Sequence, residues 1–238
     1  MHQIIVNNLV VDVHRKDIKN LHLGVYPPDG RVRVASPLNI DDEAVRLFVI
    51  SKLGWIRKQQ REFLAQPRQS LREYVSGESH YFMGDRYLLN VIYRKGHPDV
   101  VIRNKTYIDL FVREGSDYDY RKRVMTEWYR SELRTLAAPM VEKLKNEIDV
   151  PLTHWGIRSM KTKWGSCNIE KGRILLNLEL AKKPPHCIEY IIVHELVHLL
   201  ERHHNDRFIA MMDKFMPQWR LYRDELNALP LKHEQWEY

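Results

Sequence analysis

Two hydrophobic periods alternate along the chain. The first 36 residues follow the two-residue period of strands. Residues 4–13 are mostly apolar with a polar break at Asn7-Asn8, and 21–26 and 31–34 alternate apolar with polar. Pro27-Pro28-Asp29-Gly30 separates the last two runs and predicts a hairpin between them. The period then lengthens. Asn39 or Asp41 is placed to cap a helix with Asp42 and Glu43 in its first turn. Ala44, Leu47, Phe48, Ser51, Trp55 and Phe63 follow at helical spacing up to Pro67. The other face carries Arg46, Lys52, Arg57, Lys58 and Arg61, a solvated face that would also suit a polyanion.

From Tyr81 the strand period returns. Gly84-Asp85 predicts a turn, 87–93 a strand, and 100–102 and 107–112 two more on either side of Asn104-Lys105. Around Gly115-Ser116-Asp117 the pattern shifts again. A long helix is expected over 118–146, with Val124, Trp128, Leu133, Leu136, Met140, Val141, Leu144 and Ile148 facing inward. Short strands are expected over 155–160, 163–167 and 173–176. Three helices close the chain, one from Pro185, one from the N-cap Asn205 to Pro217, and one over 219–226. The pattern predicts an α+β protein divided near residue 117, with a β-rich region over 1–117 and a second domain over 118–238. No internal repeat or low-complexity segment is visible.

The chain has 238 residues, a formal charge of +7 and a sequence pI near 9.3. Such a balance favours anionic partners such as nucleotides or nucleic acid, and equally describes a basic surface with no partner. Two cysteines, Cys167 and Cys187, are too few for a disulfide framework, so reduced thiols and a cytoplasmic location are expected. The first residues have no basic and apolar leader, and no apolar run is long enough to span a membrane.

The chemistry concentrates on His194-Glu195-Leu196-Val197-His198. Four residues of α-helix amount to about 400° of rotation and about 6 Å of rise, so both imidazoles leave one face a turn apart. Two nitrogens so placed can close on one tetrahedral ion, and Glu195 can reach a water from the side. The flanks Ile188, Ile191, Ile192, Val193, Leu199 and Leu200 predict a buried helix. Buried imidazoles need partners, which either a metal or ordinary hydrogen bonds supply. A catalytic zinc keeps three protein ligands, and three residues compete for the third place. Glu201 lies on the same face but a turn too far along, which suits a supporting role. His203 and His204 reach the ion only if the helix ends near Arg202 and the chain turns back, as the N-cap Asn205 suggests. The spacing favours His204 over His203 without deciding between them.

Residues 194–208 resemble the YgjP-like metal-dependent hydrolases, relatives of the SprT-like zinc metallopeptidases. Their pattern is His-Glu-Leu-x-His, five residues, His, then Phe four further on. The stretches 160–167 (Met-Lys-Thr-Lys-Trp-Gly-Ser-Cys) and 172–177 (Gly-Arg-Ile-Leu-Leu-Asn), Pro184, and Gly77-Glu78 to Gly84 match as well. The family commonly has Asn-His-Ser where this chain has His203-His204-Asn205. The resemblance assigns Zn2+ to His194, His198 and His204, the general base to Glu195, and a zincin-like fold to the second domain. It also implies that the β-structure at Trp164-Gly165-Ser166-Cys167 receives an extended peptide by strand addition, although Trp164 and Cys167 also read as core. Arg158, Lys161 and Lys163 could stabilise an oxyanion or a phosphate, or be surface charge. The other histidines (His2, His14, His22, His80, His97, His154, His186 and His233) lack ligand spacing. Three functions follow: a metallopeptidase acting on a peptide or protein, a nucleotide pyrophosphohydrolase, and a nucleic-acid-associated protein of the SprT-like kind.

Overall fold

The computed structural model describes residues 2–26, 30–65, 72–160 and 163–228, and the chain divides into two compact units near residue 70. In the first unit, strands β1 (His2–Val6), β2 (Leu9–Lys16), β3 (His22–Tyr26) and β4 (Arg31–Pro37) form a sheet in the order β1-β2-β4-β3. The outer pairs are antiparallel and β2 runs parallel to β4. Asn7 and Asn8 both take positive φ, 47° and 65°, the requirement of a two-residue hairpin turn. The polar break in the sequence is therefore a reversal of the chain. Helices α1 (Asp42–Ser51) and α2 (Leu53–Ala65) cover one face of the sheet. The Asp41 carboxylate accepts from the Ala44 N–H and caps α1.

The inward face of these helices differs from the expected one. Val45, Val49 and Ile56 are buried against Val6, Val11, Val13, Val32 and Val34, whereas Leu47 and Trp55 are 58% and 45% exposed. β-branched side chains fit a valine-lined sheet closely, so the helix turns them inward. The single helix expected up to Pro67 also breaks at Lys52, whose N–H bonds back to the Val49 and Ile50 carbonyls.

The second unit opens with the same arrangement. Strands β5 (Ser79–Phe82), β6 (Asp85–Tyr93), β7 (Asp99–Arg103) and β8 (Tyr107–Val112) run in the order β5-β6-β8-β7, with antiparallel outer pairs and a parallel centre, followed by the long helix α3 (Tyr118–Ile148). The repetition of strand order and direction, each sheet leading into a helix, leaves no trace in the sequence pattern. The shift near residue 117 is the junction between such a sheet and its helix. It falls inside the second unit, where sheet and helix share one core. In α3 the fully buried positions are Met125, Tyr129, Leu133, Ala137, Val141, Leu144 and Ile148; the expected Val124, Trp128, Leu136 and Met140 flank that stripe, partly covered.

A small sheet follows, with β9 (His154–Arg158), β10 (Gly165–Asn168) and β11 (Arg173–Asn177) in the order β10-β11-β9, so that β10 is an edge strand. A 3-10 turn (Leu178–Lys182) leads into α4 (Pro185–Val197), and α5 (Asp206–Phe215) and α6 (Trp219–Ala228) complete the unit. Two contacts fix the start of α4. The Met83 N–H donates to the Ala181 carbonyl, and Gly84, at φ +93°, lies so close to Pro184 that an added Cβ would stand 2.8 Å from its Cγ. The β5–β6 turn is thereby clamped to the segment entering α4. No helix among the described residues is long and apolar enough to cross a membrane.

Candidate metal centre

The helix α4 is apolar almost all round, with Cys187, Ile188, Ile192, Val193, Leu196 and Val197 fully buried. Such a helix is held by packing round most of its circumference, and its polar groups inherit that rigidity. It ends earlier than Arg202. Val197 is its last residue and His198 its C-cap. The N–H groups of Leu199 and Leu200 reach back to the Leu196 and Val197 carbonyls, and the chain then reverses. Asn205 starts α5 by accepting from the Phe208 N–H at 3.0 Å.

The reversal brings three imidazoles together. The Nε2 atoms of His194 and His198 are 3.2 Å apart, those of His194 and His204 3.2 Å, and those of His198 and His204 3.0 Å. The His198 Nδ1 sits 3.0 Å from the Glu201 carbonyl oxygen, to which only an N–H can bond, so Nε2 of that ring is an acceptor. No assignment of one proton per neutral ring then makes all three Nε2 contacts hydrogen bonds. Converging lone pairs of this kind fit a cation. Nitrogens about 2.05 Å from a tetrahedral zinc would be spaced roughly 3.3 Å apart, close to the observed triangle. Burial, reinforced by the neighbouring imidazoles, lowers the His194 pKa to about 3 and also lowers that of His198, so both rings are held neutral, as metal donation requires. The buried His194 Nδ1 has no hydrogen-bond partner among the described residues.

His203 stays outside the triangle. It is exposed, and its backbone N–H donates to the Glu201 carboxylate at 3.3 Å. Glu201 supports the site through its backbone carbonyl, while its carboxylate accepts from the His203 N–H and lies 4.0 Å from Arg207. The Phe208 ring, 2% exposed, packs on all three imidazoles with centroids 5.1 Å from His194, 4.7 Å from His198 and 4.6 Å from His204. Tyr190 meets His194 edge-on at 5.8 Å.

Glu195 is 5% exposed, and burial raises its carboxyl to about 8, against a lowering by the nearby Lys163. Its seat depends on Gly165 of β10. A Cβ there would lie 2.5 Å from Glu195 Oε1, 2.7 Å from Cγ and 2.8 Å from Cδ. Asn177 pins the approach to that strand. Its side-chain N–H groups donate to the carbonyls of Met160 (2.9 Å) and Lys163 (2.7 Å), and its backbone N–H donates to the Trp164 carbonyl (2.8 Å). The roles of Gly165, Asn177, Tyr190 and Phe208 are not readable from spacing; the signals for them are a glycine inside a strand pattern, the family-like stretch ending at Asn177 and the family's Phe after the third histidine.

A cleft of about 670 Å³ opens over the site, lined by 163–170 and by Tyr190, His194, Glu195, His198, Arg202 and His204, with Arg223 and Asn227 of α6 at its border. Among the expected cations, Lys163 lines it, Arg158 is exposed at the end of β9 and does not, and Lys161 lies outside the described residues. Cys167 lines it too, half-buried against the core, its thiol pushed up to about 11 by burial. Among the histidines set aside as ordinary, His80 is buried against Glu78 (3.1 Å), and His186 pairs with Glu225 (2.7 Å) beside Cys187, whose thiol burial raises to about 12. His233 lies outside the described residues.

The model of the YgjP-like metallopeptidase domain matches residues 19–229. A comparison with curated proteins gives no match. Among solved structures, the metallopeptidase zymogen abylysin of Pyrococcus abyssi is similar at 22% identity and a TM-score of 0.35, over 38% of this chain and 90% of that one. The zymogen jannalysin of Methanocaldococcus jannaschii is similar at 18% and 0.34, over 37% and 91%. The family match spans most of the chain and includes every residue of the histidine triangle, so the chain belongs to the YgjP-like metallopeptidase family and is a metal-dependent hydrolase.

Proposed function

We propose that the protein is a zinc peptidase in which His194, His198 and His204 hold the metal and Glu195 is the general base. The observation that carries this reading is the triangle of Nε2 atoms at 3.0–3.2 Å, which three neutral imidazoles cannot satisfy among themselves. Bound zinc supplies a Lewis acid and lowers the pKa of a coordinated water towards ~7. Glu195 follows the first ligand on the buried helix, and its carboxylate faces the cleft beneath Gly165. It takes a proton from the attacking water and passes it to the leaving amine. The raised carboxyl pKa suits a group that must both accept and return a proton near neutral pH.

The edge strand β10 is the natural seat for substrate. Among the described residues it pairs with β11 on one side only, and its residues line the cleft. An extended peptide added there would be held by main-chain hydrogen bonds irrespective of its side chains. A nucleoside triphosphate pyrophosphohydrolase is the second reading, favoured by Lys163, Arg202 and Arg223 along the cleft.

The test is Glu195→Gln, assayed on casein and fluorogenic peptides and on nucleoside triphosphates, with metal content measured on the same samples. Full zinc occupancy with peptide hydrolysis reduced by several orders of magnitude is expected. Wild-type turnover would remove Glu195 as the base. Chelator-sensitive pyrophosphate release without peptide cleavage would replace the first reading by the second.

A further inference from the structure

The first unit carries a cationic pocket of its own. One face of its sheet packs on α1 and α2, and the other is open at Ile5 and Val10, which pair across β1 and β2 and are 68% and 52% exposed. On this open face, strand pairing sets His14, Ala35 and His22 in one row, and Asp12, Arg33 and Gly24 in the next. At about 4.8 Å between strands, the two histidines stand roughly 10 Å apart across a methyl group. His14, Lys16, His22, Tyr26 and Arg33 line a depression of about 150 Å³ there, together with Leu23 and the small residues Gly24 and Ala35. That is roughly five times the share of one water in the liquid, room for a tetrahedral anion.

Among the described residues the walls hold no acid. Asp12, the carboxylate nearest the pocket along β2, is 1% exposed and committed to Arg31 and the Gln3 amide. The buried ring nitrogen Nε2 of His14 has no hydrogen-bond partner among the described residues. Tyr26 supplies an aromatic surface. The edge of its ring, Cε2, Cζ and Oη, lies over Gly24, where any Cβ would stand 2.6–2.8 Å from it, and the Arg33 guanidinium is 5.5 Å from the ring centroid. Cations, an aromatic ring and exposed aliphatic side chains on one open sheet are what a single-stranded nucleic acid uses, with phosphates on the cations and bases on the flat apolar surface.

We propose that the open face of the first sheet binds single-stranded nucleic acid, with a backbone phosphate seated between His14, Lys16, His22 and Arg33. This reading is independent of the metal site.

The test is fluorescence anisotropy of labelled DNA and RNA strands of about 12 nucleotides, titrated with the full chain over a series of salt concentrations. The double variant Lys16→Glu/His22→Glu, both positions exposed, should weaken binding at least tenfold. It should also flatten the log–log salt slope by about 0.7 for each phosphate no longer neutralised. The control is Arg57→Glu/Arg61→Glu on α2, in the other layer of the unit, which should shift affinity by no more than a fewfold. Should the double variant fold poorly, Lys16→Gln alone gives the same slope reading. Absence of oligonucleotide binding at low salt would overturn the proposal. So would binding lost in the α2 variant and kept in the sheet variant, or binding to phosphatidylserine vesicles in place of oligonucleotides.

Discussion

Replacing Gly165 by alanine tests the catalytic geometry without touching any proposed ligand. The added Cβ would stand 2.5 Å from Glu195 Oε1 and 2.7 Å from Cγ, about 1 Å inside the usual 3.5–4.0 Å separation of non-bonded carbons. Neither partner yields easily. Gly165 is held in register opposite Leu176, and Glu195 rides on a helix whose neighbours Leu196 and Val197 are fully buried. Relief therefore comes from turning the carboxylate aside by about that distance. A misplacement of 1 Å in a reacting group costs about 100-fold in rate, near 2.7 kcal/mol of transition-state stabilisation. The expected outcome for Gly165→Ala is a fall of about two orders of magnitude in kcat/KM on peptide, carried by kcat. Overpacking should destabilise the fold by about 1–3 kcal/mol. Zinc content, measured by elemental analysis, should be unchanged. Gly156→Ala is the control, because its Cβ would meet only the Leu175 side chain, at 3.3 Å, and a side-chain nitrogen of His154 at 3.6 Å. Near-wild-type turnover in folded, metal-loaded Gly165→Ala would refute the reasoning, since the carboxylate would then work from somewhere else.

Three further outcomes are expected. His204→Ala should be purified without zinc while His203→Ala keeps it, and the reverse result would reassign the third ligand. Phe208→Ala, which empties the space beside all three imidazoles, should cost about 3–5 kcal/mol in chemical denaturation and weaken zinc retention, whereas Phe208→Leu should keep most of both. In the second sheet, the hydrogen bond from Arg103, assisted by Asn90, holds the Asp109 carboxyl below its ordinary value of 3.8. A depressed pKa contributes stability that is fully present above that value and lost as pH falls through the folded one. Asp109→Asn should therefore be less stable at neutral pH, and its denaturation midpoint should fall less steeply below pH 4 than that of the parent.

The helix proposed to carry two of the ligands was legible as a buried helix because two constraints coincide in it: a four-residue histidine spacing, and a nearly continuous run of apolar residues. The proposed third donor was half legible. Spacing required a break, and Asn205 signalled one, but the choice between His203 and His204 turns on a reversal whose hydrogen bonds are not encoded as a pattern. The misread helix faces share one cause. Leu47 and Trp55 are larger apolar residues than Val45 and Val49, and a hydrophobic count prefers them, whereas packing against a valine-lined sheet prefers shape. The compact units divide near residue 70 and the sequence pattern shifts near 117, because a change of period marks a change of element, and both units contain that change. Gly165 and Asn177 act across tertiary distance, on Glu195 and on the loop before β10; a glycine in a strand and an asparagine in a family-like stretch mark the positions without naming those partners.

The three imidazoles differ in how deeply they are rooted. His194 stands on a helix packed round most of its circumference, His198 on its last turn, and His204 on an exposed segment between the end of that helix and the N-cap of the next. Opening residues 201–205 would release one proposed donor while the hydrophobic core stays closed, and local openings of this kind need far less free energy than global unfolding. Metal exchange should therefore run ahead of unfolding: a chelator added to the folded protein should strip zinc at a rate insensitive to mutations that destabilise the core of the second unit, and sensitive to the N-cap at Asn205.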